Sequence, residues 1–313
     1  MRYWLLASMV TLSSFAIGLV LMSAVDAALV SSFRQRLARW PSSVRATALL
    51  CLRVLPVVSA LAFGAALVFP TFLYYEPRNT DEPLTGTVAA IAVLGFLTLL
   101  WSAFRTTQSW ISTRRLGRHW KRAARVVVLP SNVRAFVVDD PFPIVAVVGW
   151  RKPALFISER VLSECTTGEI EAMIRHERAH IASRDNLKRL ALRGCPRLPF
   201  SSELDAAWNM AAEEAADARA AGNDAARRLD LAHALIRLAR LAPIPNLPAG
   251  ISAFYPGGSV EHRVRLLLEP ATQPGSSRVY LLAGLAATLL AGGFIVSAPA
   301  IHAAMEALVR LVP

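Results

Sequence analysis

The chain has 313 residues, 54% of them hydrophobic, with a mean hydropathy of +0.42 and a formal net charge of +12. That apolar content excludes an ordinary soluble domain and points to a membrane protein. Arginines flanking apolar stretches explain the positive charge by topology, so no direct nucleic acid binding is expected.

The first element is an uncharged stretch from Tyr3 to Val25, followed by two more at Val54 to Tyr75 and Leu84 to Phe104. Each is long enough to cross a bilayer, which takes about 20 helical residues. Val25-Asp26-Ala27 resembles a signal-peptide cleavage site, but the apolar run before it is too long, so the stretch reads as an anchor. Pro56 and Pro70 predict kinks in the second span.

Between the first two spans lie Arg34, Arg36, Arg39, Arg45 and Arg53 against Asp26. The next loop has Glu76, Asp81 and Glu82 against Arg78, and the third span is followed by Arg105, Arg114, Arg115, Arg118, Lys121, Arg122 and Arg125. The positive-inside rule places the first and third loops in the cytoplasm and the second outside a bacterial-type plasma (inner) membrane. A fourth uncharged stretch, Val279 to Ile301, carries the chain back across. Both termini then face outside. The expected organisation is three transmembrane helices in 1–104, a cytoplasmic domain in 105–278, a fourth span in 279–301 and a short external tail in 302–313. The spans carry no interior charge of the kind that marks an ion path, which argues against a channel.

Within the cytoplasmic domain, the segment from Gln108 to Arg125 reads as a basic amphipathic helix along the membrane surface. Short β-rich runs follow at Val126 to Leu129, Arg134 to Val138, Ile144 to Val148 and Ala154 to Ile157. Pro141 and Pro143 keep the third run at a sheet edge, where a peptide could add as a further strand. Ser158 to Glu164 is a short helix, and Thr166-Thr167-Gly168-Glu169 reads as the capping box of a longer one. That helix is expected to run unbroken to a stop at Gly194 and Pro196.

It carries His176-Glu177-Arg178-Ala179-His180. Residues four apart share a helix face, so His176 and His180 can offer imidazole nitrogens to one metal ion, with Glu177 placed to reach its water. Two neutral imidazoles and a carboxylate suit one zinc ion per chain with a fourth position open. An acidic third ligand is expected from a later helix. Glu213 is preferred because Asp217, one turn on, can accept the outer N–H of a ligating histidine, with Glu214 as the alternative. Three cysteines, Cys51, Cys165 and Cys195, lack metal-finger spacing and read as reduced thiols apart from the site.

Asp224 to Leu241 forms another helix, Pro243, Pro245 and Pro248 mark a loop, and Glu261 to Leu268 is a last short helix. Hydrolysis needs a donor for the oxyanion besides the metal. Tyr255 and Arg263 are candidates, each set against an ordinary role in packing or at the surface. His233 and His262 read as helix-surface histidines, and His119 as facing the membrane surface.

Several of these segments together resemble the BlaR/MecR-type membrane zinc metallopeptidases, metallopeptidase family fifty-six. They are Pro153-Ala154-Leu155-Phe156-Ile157-Ser158, His176 to Ile181 continuing into Arg184-Asp185-Asn186-Leu187, Glu213 to Asp217, and Glu261-His262-Arg263-Val264. The resemblance implies an α+β gluzincin (zincin-like) cytoplasmic domain with a small mixed sheet beside α-helical spans. It implies zinc on His176, His180 and Glu213, with Glu177 catalytic in a zinc metalloendopeptidase. The implied substrate is a cytoplasmic protein, a transcriptional repressor, cut in a transmembrane signalling route. Separately, a partner membrane sensor or a change in the bilayer is expected to supply the input through the spans.

The chain departs from that family in two places. Only His302 to Pro313 follow the fourth span, where the antibiotic sensors carry a penicillin-binding domain, and the Cys195 to Ser202 linker holds Arg197 and two prolines. The HtpX/CAAX-type proteases share the zinc motif and stand second. Their membrane-bound members carry apolar spans between the zinc helix and the third ligand, and none lies between His180 and Glu213 here. A reading from another class is a membrane signalling adaptor with a structural zinc site.

Overall fold

A computed structural model describes residues 2–78, 85–199, 201–241 and 260–269. The fourth span, the external tail, Tyr255 and the prolines at 243, 245 and 248 lie outside the described residues.

Three helical segments are long and apolar enough to cross a membrane, each with a mean hydropathy of 2.1. Helix α1 runs Arg2–Ala38 and α2 runs Ser42–Ala62. The second span continues through a widened π-type turn, Phe63–Val68, into α3, Phe69–Tyr75. That turn stands just before Pro70, which has no N–H for the preceding carbonyls, so the irregularity sits between the two prolines. Helix α4, Gly86–Ala123, packs closely on α1: a Cβ on Gly95 would come within 2.6 Å of the Leu12 carbonyl oxygen. Small residues at such a crossing let two membrane helices approach backbone to backbone.

The basic segment after the third span continues α4 without a break, giving one helix of 38 residues. The sequence suggests a separate helix here, and the structure instead has one that runs straight on from the span. Its last turns bury Trp120, whose ring centroid is 5.2 Å from that of Phe156 in the sheet. Leu116 joins the same cluster with Val138, Ile144 and Ala146, so an apolar stripe among the arginines covers one sheet face.

The sheet comprises β1 (Arg125–Leu129), β2 (Val133–Val138), β3 (Val145–Val148) and β4 (Ala154–Ser158), in the spatial order β1-β2-β4-β3. β1–β2 and β3–β4 pair antiparallel and β2–β4 parallel, which makes the sheet mixed. β3 is an edge, as the two prolines before it require, since neither can donate to a ladder.

Against the other face pack α5 (Glu159–Glu164), α6 (Thr167–Ser183), α9 (Ala225–Leu241) and α10 (Val260–Leu268). Val161, Ile170, Met173, Leu231, Leu235, Leu238 and Leu267 meet Val137, Val145, Leu155 and Ile157 there. Helix α7 (Asp185–Gly194) follows α6, and α8 (Ser201–Ala221) lies across both the domain and the membrane helices. Trp208, Ala211 and Ala212 of α8 share a core with Ala46 and Leu49 of α2 and Leu192 of α7. Arg53 of α2 adds a polar tie, donating to Asp205 Oδ1 at 3.0 Å and to the Pro196 carbonyl at 2.8 Å.

Candidate metal centre

The capping box that starts α6 is complete: Glu169 N–H donates to Thr166 Oγ1 at 3.3 Å, and Thr166 N–H donates to Glu169 Oε2 at 2.7 Å. From that fixed start, Ile170, Met173 and Ile174 face the sheet core. His176, Glu177 and His180 then fall on buried positions facing α8 and β3. The alanine-rich face of α8 brings Glu213 up to them.

His176 Nε2 and His180 Nε2 lie 3.0 Å apart. Glu213 Oε2 is 3.4 Å from the first and Oε1 is 3.5 Å from the second. The three residues are buried, offer ligand atoms within 4.8 Å of one another, and are the one such group among the described residues. Two imidazole nitrogens facing each other and a carboxylate leave room between them for a cation. Glu213 Oε2 makes no hydrogen bond and has Arg263 Nη1 no nearer than 3.4 Å, so a cation between the imidazoles would give this buried oxygen a closer positive partner. Two nitrogens and a carboxylate oxygen are a donor set that fits zinc.

Each imidazole is held from behind by a carboxylate. Asp217 Oδ1 lies 2.8 Å from His176 Nδ1, and Asp185 Oδ2 lies 2.7 Å from His180 Nδ1. Such contacts fix the tautomer so that Nε2 faces the metal position. Asp185 can reach because the helix is not continuous, contrary to what the sequence suggests. Arg184 adopts a left-handed conformation, φ 55° and ψ 37°, and separates α6 from α7. In an unbroken helix Asp185 would point away from the His180 face. An arginine in that conformation leaves no signature in sequence, where glycine or asparagine would have marked the break.

Electrostatics follow from the burial. Burial opposes protonation of His180, but the Glu213 charge and the hydrogen bonds to Asp185 and Glu213 outweigh it and push its pKa up to about 10. Burial also acts to raise Glu213, yet the two histidines and Arg263 hold it well below the ordinary carboxylate range. Both shifts describe a pocket that favours a cation. Glu177, unlike Glu213, is raised, by burial first and by the Glu213 charge, against the opposing pull of the two histidines.

Glu177 Oε2 accepts the Val147 N–H of β3 at 3.0 Å, while Oε1 is buried without a hydrogen bond. Asn186 Nδ2 donates to the Val147 and Gly149 carbonyls at 3.0 and 3.1 Å. The outward groups of the edge strand are therefore partly held from within the site. Arg189 Nη2 donates to Glu213 Oε1 at 2.9 Å.

The alternative third ligand, Glu214, points elsewhere. It pairs with Arg45 of α2 and has Oε1 3.4 Å from His262 Nε2. Arg263 is buried and holds Asp217 with two bonds, Nε to Oδ2 and Nη2 to Oδ1, both 2.7 Å. It is buried, so the surface reading gives way to a supporting position behind Asp217. His119 and His233 are exposed. Asp185, Asn186 and Arg189 carry contacts that sequence reasoning assigned to none of them. The signal was their place directly after the histidine motif.

Residues 111–247 match the model of Peptidase family M48. The match begins in the C-terminal half of α4 and takes in the whole sheet, both candidate metal helices and α9. No curated protein matches the chain. With the three apolar helices, the family match supports a membrane-type zinc metallopeptidase. The matched family is not family fifty-six, so the BlaR/MecR resemblance gains nothing from it.

Proposed function

We propose that the chain is an integral-membrane zinc metalloendopeptidase that cleaves a protein on the cytoplasmic side of the membrane. The observation that carries this is the buried His176, His180 and Glu213 group, with Glu177 one residue from the first histidine and bonded to the edge of β3. His176 and His180 would hold zinc through Nε2 and Glu213 through its carboxylate, with Asp217 and Asp185 steadying the two rings. Zinc bound there supplies Lewis-acid polarisation of a carbonyl and lowers the pKa of water toward 7.

Glu177 is the general base and then the general acid. Its raised pKa suits a group that takes a proton from the attacking water at Oε1 and passes it to the leaving amine. Its Oε2 stays on Val147 N–H, which fixes the carboxylate against the strand where an extended substrate would lie. A metal held by these three protein ligands would keep a position for water or substrate, which favours a catalytic over a closed structural site and so argues against the adaptor reading.

For the substrate, the resemblance to BlaR/MecR-type proteins favours a cytoplasmic repressor in a signalling route. The match to family M48 favours a second reading, an HtpX/CAAX-type membrane protease acting in quality control or processing. The two separate on substrate. Co-expression of the full chain with a candidate repressor or with a misfolded membrane protein, wild type against Glu177→Gln, should give cleavage of one and not the other. Reporter fusions after Arg125 should read cytoplasmic. An external reading there would put the site on the wrong side for either substrate.

A further inference from the structure

When water attacks a peptide carbonyl, negative charge gathers on its oxygen, and that oxygen needs a protein donor aimed at it as well as a metal. Two guanidinium groups reach the Glu213 carboxylate, and they differ in what they have left to give. Arg263 has a 3% exposed side chain, commits Nε and Nη2 to Asp217, and places Nη1 3.4 Å from Glu213 Oε2. It is shut behind the ligand carboxylate. Arg189 has a 23% exposed side chain and a single close contact, from Nη2 to Glu213 Oε1 at 2.9 Å. Its Nη1 reaches Asn186 Oδ1 only at 3.5 Å, and its Nε makes no hydrogen bond.

The neighbour matters. Asn186 lies three residues before Arg189 on the same face of α7 and holds the free edge of β3 through the Val147 and Gly149 carbonyls. Arg189 thus spans from the ligand carboxylate to the residue that holds the edge strand, with Nε buried, Nη1 only weakly engaged and the side chain part-exposed.

We propose that Arg189 is a catalytic residue whose guanidinium donates to the oxygen of the scissile carbonyl as that oxygen becomes an oxyanion. The proposal rests on the metallopeptidase reading above. Water adds to the carbonyl carbon and its proton passes to Glu177; the C–N bond then breaks and the amine leaves with that proton. Arg189 transfers nothing. It supplies charge and hydrogen bonds where charge develops, and its bond to Glu213 holds it in place beforehand.

The test uses the full chain in detergent, loaded with zinc, as wild type, Arg189→Ala and Arg189→Lys. Metal content is measured beside cleavage of a pool of randomised fluorogenic peptides. Arg189→Ala should keep its zinc and lose about a hundredfold in kcat with KM moved less than about threefold. Arg189→Lys, or guanidinium ion added to Arg189→Ala, should restore part of that rate. Zinc lost in step with activity would make Arg189 only a holder of Glu213, and overturn the proposal. So would wild-type activity in Arg189→Ala, or no recovery by either lysine or guanidinium. A wild type that takes up zinc yet cuts none of the pool would instead remove the peptidase reading itself.

Discussion

Glu213 and Glu214 are neighbours on α8 and both are buried, yet they serve different ends because successive helical residues point to different sides. Glu213 meets the two imidazoles, and Glu214 meets Arg45 of α2. Glu213→Ala should therefore weaken zinc binding more than about tenfold, judged by metal content and chelator competition, since even supporting contacts are worth about that much. Glu214→Ala should keep its zinc and lower only the unfolding midpoint, because it strands Arg45 against α8. The reverse order would make Glu214 the third ligand. The spacing of His176 and His180 and the one-turn relation of Glu213 to Asp217 could be read from sequence because helical period alone sets them. Asp185, Arg189 and the true place of Arg263 could not. Their contacts depend on the break between α6 and α7 at Arg184 and on a helix remote in sequence.

At the scale of elements, α6 depends on how it starts and how it ends. Burial alone would raise the Glu169 pKa, but the Thr166 N–H bond and the Arg237 guanidinium outweigh it and hold the group below its ordinary 4.5. A carboxylate with a depressed folded pKa contributes stability that is present above its unfolded value and lost as pH falls through the folded one. Glu169→Gln should then lower the thermal unfolding midpoint of the full chain by a few degrees at pH 7, and the gap should narrow as pH falls below the ordinary carboxylate value and through the depressed folded one. A gap that ignored pH would assign the effect to side-chain shape and not to charge. The capping box and the edge strand were legible because threonine, glutamate and proline act locally. The course of α4 was not: its arginines suggested a membrane surface, while Leu116 and Trp120 decided for the sheet.

For the whole molecule, the membrane helices and the site are one packed body. Helix α2 is tied to α8 through Arg53 and Asp205 and through Arg45 and Glu214, and α4 covers the sheet that ends in β3. Gly117 of α4 shows how close that cover is, since a Cβ there would sit 3.2 Å from Val148 Cγ1 of the edge strand. A shift in either membrane helix would thus move Glu213 or Val147 relative to Glu177. Reversing one charge, Arg53→Asp or Asp205→Arg, should lower the unfolding midpoint by about 5 °C and reduce zinc content. The double reversal should regain about half of both. It cannot regain all, because an aspartate at 53 no longer donates to the Pro196 carbonyl. Equal losses in singles and double would mean that the pair does not couple the two helices.

On the proposed function, His176, His180 and Glu213 would hold zinc and Glu177 would move the proton. The most direct test is zinc content measured together with peptide cleavage in the purified full chain, as wild type, His176→Ala, His180→Ala and Glu177→Gln. One zinc per chain is expected in wild type and in Glu177→Gln and little in either histidine variant, with cleavage in wild type alone. Zinc that survives both histidine substitutions, or cleavage that survives Glu177→Gln, would contradict it.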